Sequence, residues 1–171
     1  MRPPLNGGTL GGRLRCMSLT EQEQAETFAL AILGSLATAD QAVDWARGLL
    51  LILADPPVEV VELAGATRPH PLDIVALLRQ FRGERDHERV FRAVLARARD
   101  LLRQQPAAFP IVTHALEQMA QHGQVPESLT SPCFSFDDQR QLAEDGVYGT
   151  TADVYENLMS FLDEEARPEG A

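Results

Sequence analysis

Four histidines are the side chains of this chain best suited to acid–base chemistry or metal binding near neutral pH: His70, His87, His114 and His122. His114 and His122 are eight residues apart, which on a helix separates them by about two turns, too far for the pair alone to bind one metal ion. His87 precedes Glu88 but does not form the HExxH sequence of zinc peptidases. A hydrolase-like site that combines His87 or His114 with a carboxylate is therefore an alternative, and no catalytic residue is assigned.

The most specific pattern is a row of arginines on one predicted helix. At 100° per residue, five of them fall within an arc of about 80°: Arg85, Arg89, Arg92, Arg99 and Arg103. Segment 82–103 holds seven Arg and four acids, whereas the whole chain has a net charge of −10. This arginine row could be a solvated face that pairs with nearby acids, or a contact for the acidic C-terminal region. It could also bind an acidic protein surface or a phosphate, which Arg recognises through two parallel hydrogen bonds.

The C-terminal region is the second charged feature, with ten acids and two Arg in residues 134–171. Asp137 and Asp138 are predicted at the N-terminus of a short helix, where carboxylates are favoured. Glu144 and Asp145 precede a turn at 146–149, and their spacing does not match a calcium-binding EF-hand. We expect these four acids to contact a basic partner or to act as solubilising surface.

Residue types exclude several classes of site. All 15 basic residues are Arg, so an enzyme that needs a catalytic or phosphate-binding Lys cannot be assembled within this chain. Cys16 and Cys133 stand alone, without the clustered ligands of a zinc site or the number of cysteines of a disulfide scaffold. Ser35 lacks the strand–turn–helix context of a hydrolase nucleophile. We therefore expect no cofactor and no metal.

The net charge of −10 argues against general affinity for nucleic acid or anionic membranes, since both bind positively charged protein surfaces. No secretory signal follows the first Arg, which predicts a cytoplasmic protein with reduced thiols.

Helical periodicity dominates the chain and predicts an all-α fold of six to seven helices, arranged as an irregular bundle or as stacked helical hairpins. The predicted organisation is a disordered leader at 1–16, a single helical domain at 17–165 and a disordered tail at 166–171. Segment 40–54 is apolar at every position from 49 to 54, so we expect it to be the central helix, covered on all sides.

Two segments are less regular. Residues 58–64 could form a short strand or a short helix, and the helix is favoured because a lone strand would have no partner. Residues 125–135 contain two prolines and are predicted to be a connector that leads to a short helix at 137–143.

These features favour a non-enzymatic, cytoplasmic protein-binding module. Its acidic surface suits an immunity- or antitoxin-like protein that masks a basic partner, or an adaptor that docks one. A small enzyme built from scattered His and carboxylates is the first alternative. A nucleic-acid-associated regulator that uses the arginine row is the second.

Overall fold

The structure is a computed structural model, and it describes residues 19–166. Within this range all regular structure is helical, as the sequence predicts, but eight α-helices are present rather than six to seven. They are α1 Glu21–Leu33, α2 Ala39–Ile52, α3 Val58–Ala64, α4 Pro71–Leu78, α5 His87–Gln104, α6 Phe109–Gln121, α7 Glu127–Glu144 and α8 Thr151–Glu165, with a 3₁₀ turn at Pro106–Ala108 before α6. The predicted leader lies outside the described residues, as does all of the predicted tail except Ala166.

Local sequence explains where several helices begin. Thr20 and Glu23 form the capping box predicted from their spacing, with the Thr20 side chain accepting from Glu23 N and the Glu23 carboxylate accepting from Thr20 N. Thr38 and Gln41 repeat the motif at α2. Asp86 caps α5 by accepting from the first backbone amides of that helix. Residues 58–64 are helical, which confirms the favoured prediction for that segment.

Helix α1 lies between two hydrophobic cores, and eight of its 13 residues are buried. Leu30 and Ala31 belong to the larger core, which α5 to α8 complete. Phe28 and Ile32 belong to the smaller core, which α2, α3 and α4 complete. A helix that is covered on opposite sides by two groups of helices holds them together, so α1 is the central helix of the described structure.

The expectation that 40–54 is the central helix is therefore wrong. Helix α2 buries a single face, formed by Ala42, Val43, Ala46 and Leu49. Leu51 and Ile52 beyond it are 87% and 76% exposed. The continuous apolar run led to this wrong prediction because Leu51 and Ile52 are exposed to solvent, whereas Leu49 and Leu53 on either side of them pack against the smaller core.

Helix α7 is also longer than predicted. Residues 127–144 form one continuous helix, so the expected connector at 125–135 and the short helix at 137–143 are wrong. Pro132 lies inside this helix, in its second turn. A proline there removes one backbone hydrogen bond, and the burial of Leu129, Cys133 and Phe136 in the larger core offsets that loss.

Candidate functional site

The N-terminal part of the arginine row binds carboxylates of α1 and of α5 itself. Arg85 Nη1 lies 3.1 Å from Glu26 Oε2, and Arg89 Nη1 lies 3.2 Å from Glu23 Oε1. Arg92 Nη2 lies 2.8 Å from Glu88 Oε1, one turn earlier on α5. The row thus runs beside α1, with Arg85 just before the first residue of α5.

The C-terminal part of the row faces α8. Arg103 Nη2 donates to Asp163 Oδ1 at 2.6 Å, and Arg99 Nε lies 3.2 Å from Asp100 Oδ1 and 3.9 Å from Asp163 Oδ1. One acid of the C-terminal region therefore contacts the row, which is one of the arrangements that the sequence leaves open. Every arginine of the row has an acidic neighbour within the described chain, and the role of the row in binding an external partner remains a prediction.

Glu23 is the most buried acid beside the row, with 2% of its surface exposed. Its Oε2 accepts from Thr20 N at 2.8 Å, and its Oε1 accepts from Asp86 N at 3.2 Å. Together with the Arg89 ion pair, these bonds connect the starts of α1 and α5 through one carboxylate. The sequence identifies the capping box but not these longer-range partners.

The four acids singled out in the C-terminal region have different environments. Asp137 is buried in the interior of α7, so its expected position at a helix N-terminus is wrong, and Asp138 beside it is exposed. Glu144, the last residue of α7, accepts from Arg140 Nη1 at 2.6 Å. Asp145 is the exposed C-cap of α7. The structure does not gather the four acids into one surface patch, because Asp137 faces inward.

Asp137 is held by neighbours from two helices. Its Oδ1 accepts from Thr113 Oγ1 of α6 at 2.7 Å and from Arg140 Nη2 at 3.0 Å, and its Oδ2 accepts from Gln141 Nε2 at 2.8 Å. Burial alone would raise the pKa of this carboxyl, but the hydrogen bonds from Thr113, Arg140 and Gln141 and the charge of Arg140 outweigh it and hold the pKa below its usual value. Asp137 therefore remains ionised at neutral pH.

Arg140 shows the complementary effect. Burial acts to lower the pKa of its guanidinium, but hydrogen bonds to Glu144 and Asp137 and the charges of both carboxylates outweigh burial and raise it. The guanidinium is committed to these two acids and to Thr113 Oγ1, to which its Nε donates at 3.1 Å. It is a structural partner of Asp137 rather than a site for an incoming anion.

A cleft of about 870 Å³ opens above this network, between the end of α1 and the α6–α7 pair. We call it the α6–α7 cleft. Its lining includes apolar side chains, among them those of Leu30, Leu33, Ile111 and Met119. It also includes the polar residues His114, Gln118, His122, Gln124, Asp137, Arg140 and Gln141. A cleft of this size with apolar side chains and a few polar groups in its lining is typical of small-molecule sites.

His114, which lines this cleft, lies close to two carboxylates. One ligand atom each from His114, Glu117 and Asp137 lie within 4.8 Å of one another, and His114 Nδ1 is 3.7 Å from Glu117 Oε2. We call these residues the His114 cluster. His122 lines the same cleft from the end of α6, whereas His70 and His87 are exposed at the starts of α4 and α5.

This cluster was not predicted from the sequence. The spacing of His114 and Glu117, three residues apart on a predicted helix, was the available signal. Ser35, set aside as a nucleophile, also lines the cleft, in a left-handed conformation with φ of 58°. Among the described residues no hydrogen bond joins Ser35 to His114, so the structure does not form a Ser–His–Asp triad.

Cys133 is fully buried in the larger core. Burial, with a smaller effect of the Glu165 charge, raises the pKa of its thiol to about 12. A thiol that stays protonated and covered is a packing residue.

Four exposed apolar side chains, including those of the highly exposed Leu51 and Ile52, lie where α2 leads into α3. Leu51 and Ile52 end α2, and Val58 and Val61 follow on α3 at 62% and 48% exposed. We call these four residues the α2–α3 apolar surface. Segment 48–64 around them contains three acids and no Arg.

Within residues 19–166, no helix has the length and apolar character needed to cross a membrane. Comparison of the chain with protein-family models, with curated proteins and with solved structures found no match.

Proposed function

We propose that the chain is a non-enzymatic protein-binding module that docks a basic partner protein on the α2–α3 apolar surface. The observation that carries the proposal is the exposure of Leu51 and Ile52, at 87% and 76%, followed along the chain by Val58 at 62%. Isolated exposed apolar residues are ordinary, but several large ones around one turn are typical of interaction surfaces.

The charges beside this surface indicate the kind of partner. Asp55, Glu59 and Glu62 are the only charged residues of segment 48–64, and Asp55 and Glu62 are exposed. An apolar centre with an acidic rim is complementary to an apolar patch flanked by Arg or Lys. The partner we infer is therefore a protein with such a patch.

This mode of action agrees with an immunity- or antitoxin-like protein that masks a basic partner, or with an adaptor, acting in the cytoplasm. We infer a scaffold of short stacked helical hairpins, in which α2 packs on α3 and α6 packs on α7. In that scaffold the α2–α3 hairpin presents the binding surface, and the remaining helices support it through α1.

The test compares two double variants of equal charge change. Leu51→Asp/Ile52→Asp places two acids in the proposed surface. Val147→Asp/Tyr148→Asp is the matched control, since these residues are 69% and 75% exposed at the turn between α7 and α8. Each protein is used for affinity capture from a lysate of the source cells, and the captured protein is identified, purified and titrated directly.

Burying a large aliphatic side chain contributes about 1.5–3 kcal/mol, so two such residues predict at least a roughly 100-fold weaker Kd in the Leu51→Asp/Ile52→Asp variant. The control variant should bind within about threefold of wild type. Equal loss in both variants, or unchanged binding in the first, would refute the proposal. A homodimer that dissociates only in the first variant would assign the surface to a second copy of the chain instead.

A second candidate function is a small hydrolase-like enzyme, favoured by one observation, the convergence of His114 with Glu117 and Asp137 at the cleft. His114 would act as the acid–base group. A panel of ester and phosphoester substrates should then show turnover that is lost in His114→Ala and kept in His122→Ala. The nucleic-acid alternative gains no support, because the arginines of the row contact carboxylates of the chain.

A further inference from the structure

We propose that the His114 cluster is a binding site for a divalent transition-metal ion of the zinc class, with Nδ1 of His114 and the carboxylates of Glu117 and Asp137 as its three protein ligands. This inference does not depend on the proposed docking surface, which lies on other helices. It rests on geometry, on charge and on the adjoining cleft.

The geometry is close to that of a coordinated ion. Ligands about 2.0–2.2 Å from a zinc ion are roughly 3.0–3.5 Å from one another. The separation of 3.7 Å between His114 Nδ1 and Glu117 Oε2 is near this range, and the whole set lies within 4.8 Å. His114 is exposed and Glu117 half-buried, so both can move the remaining distance by side-chain rotation, while Asp137 provides a fixed point.

Asp137 can accept a metal ion without losing its present hydrogen bonds. Among the residues that the structure describes, Thr113 and Arg140 donate to its Oδ1, whereas only Gln141 donates to its Oδ2. A carboxylate oxygen has two acceptor positions, so Oδ2 keeps one for a metal. Hydrogen-bonded carboxylates of this kind hold metal ligands in a fixed orientation.

The local charge suits a divalent cation. Glu117, Asp137 and Glu144 carry three negative charges against the single positive charge of Arg140, which leaves −2 with His114 neutral. The guanidinium repels a cation, but it lies between Asp137 and Glu144, which compensate its charge. An imidazole nitrogen with two carboxylate oxygens is a ligand set for zinc, cobalt, manganese or iron rather than for calcium or magnesium.

The cleft indicates what the ion would do. Three protein ligands leave at least one coordination position for water or a bound molecule, as in catalytic rather than structural zinc sites. His114 and Asp137 both line the α6–α7 cleft, so that position would face a space that is lined in part by apolar side chains. The expected ligand is a small molecule with an oxygen or nitrogen donor and an apolar body.

The test titrates the purified full-length protein with ZnCl₂ by calorimetry and with CoCl₂ by visible absorption at neutral pH. The variants are His114→Ala and Glu117→Gln, which change exposed or half-buried side chains and leave the Asp137 network intact. His122→Ala is the matched control, because His122 lines the same cleft but is not in the cluster.

We expect one zinc ion per chain, with affinity reduced at least about 30-fold in both cluster variants and less than about threefold in His122→Ala. Cobalt should give visible absorption that His114→Ala abolishes. Absence of stoichiometric zinc binding would overturn the inference, as would binding that survives both cluster variants or is lost in His122→Ala. None of these outcomes bears on the docking surface, so the two proposals fail separately.

Discussion

Replacing Glu23 with Gln tests whether the buried carboxylate beside the arginine row holds the two halves of the structure together. Glu23 accepts hydrogen bonds from Thr20 N and Asp86 N and pairs with Arg89, and it is 2% exposed. The matched control is Glu26→Gln on the same helix. Glu26 also pairs with an arginine, but that partner, Arg85, has 55% of its side chain exposed.

The expected effects differ because of burial. A Gln side chain keeps one acceptor oxygen, and its amide group must then face one of the donors that Glu23 now satisfies. Hydrogen bonds to charged groups are worth about 1.5–3 kcal/mol each, so losing one of them together with the buried charge should reduce the free energy of unfolding by about 3 kcal/mol. The Arg85–Glu26 pair is open to solvent on its Arg85 side, where Arg85 is 55% exposed and Glu26 17%. Solvent-screened ion pairs contribute about 0–1 kcal/mol, so Glu26→Gln should cost about 1 kcal/mol, less than Glu23→Gln.

Trp45 provides the assay. It is the only tryptophan of the chain, its Nε1 donates to Gln24 Oε1 of α1 at 2.7 Å, and its ring packs between Phe28 and Phe81. Urea unfolding followed by Trp45 fluorescence and by circular dichroism gives the free energy of unfolding of each variant. Equal destabilisation by the two substitutions would refute the assignment of Glu23 as the connection between α1 and α5.

Two further predictions concern groups with shifted pKa values. Because the folded pKa of Asp137 is below its unfolded value of about 3.9, its charge adds stability that is complete above about pH 4 and is lost as the pH falls further. The free-energy difference between wild type and Asp137→Asn in urea unfolding should therefore be about 3 kcal/mol at pH 7 and should decrease as the pH is lowered below about 4. A difference that does not change with pH would contradict this reasoning. The thiol of Cys133 is buried and its pKa is raised to about 12, so it should not react with a thiol-specific disulfide reagent at pH 8 in the folded protein. The experiment uses a Cys16→Ser variant, in which Cys133 should react fully after unfolding in urea. Rapid labelling of the folded variant would contradict this prediction and show that the core opens at Cys133.

Most helices could be predicted from the sequence, because apolar periodicity, capping residues and glycine or proline breaks are local signals. The Thr20–Glu23 spacing that forms the capping box of α1 and the helical spacing of the arginine row on α5 are examples. Pro132 was the main source of error, since its cost to α7 is local but the compensating burial of Cys133 and Phe136 depends on tertiary packing.

The identity of the central helix did not follow from the sequence. The run of leucines in α2 is the most apolar segment and predicted α2 as the central helix, yet α1 is the helix that lies between the two cores. The short side chains of Ala25, Ala29 and Ala31 are fully buried there, and they allow helices to approach α1 from both sides. Arg97 makes a further contact that no local sequence pattern predicts, because its guanidinium lies 3.9 Å from the centre of the Phe28 ring. Burial lowers the pKa of this guanidinium, although the charge of Asp100 acts to raise it.

The candidate metal site also depends on contacts between helices that local sequence patterns do not predict. His114 and Glu117 are adjacent on α6 by helical geometry alone, but their third neighbour comes from α7, 20 residues after Glu117. Only the packing of α6 on α7, secured by the Thr113–Asp137 hydrogen bond, brings the three groups together. An ion bound there would join the two helices, so its affinity and the stability of the α6–α7 pair must be thermodynamically linked. A substitution such as Thr113→Val, which touches no metal ligand atom, should therefore weaken zinc binding by loosening Asp137.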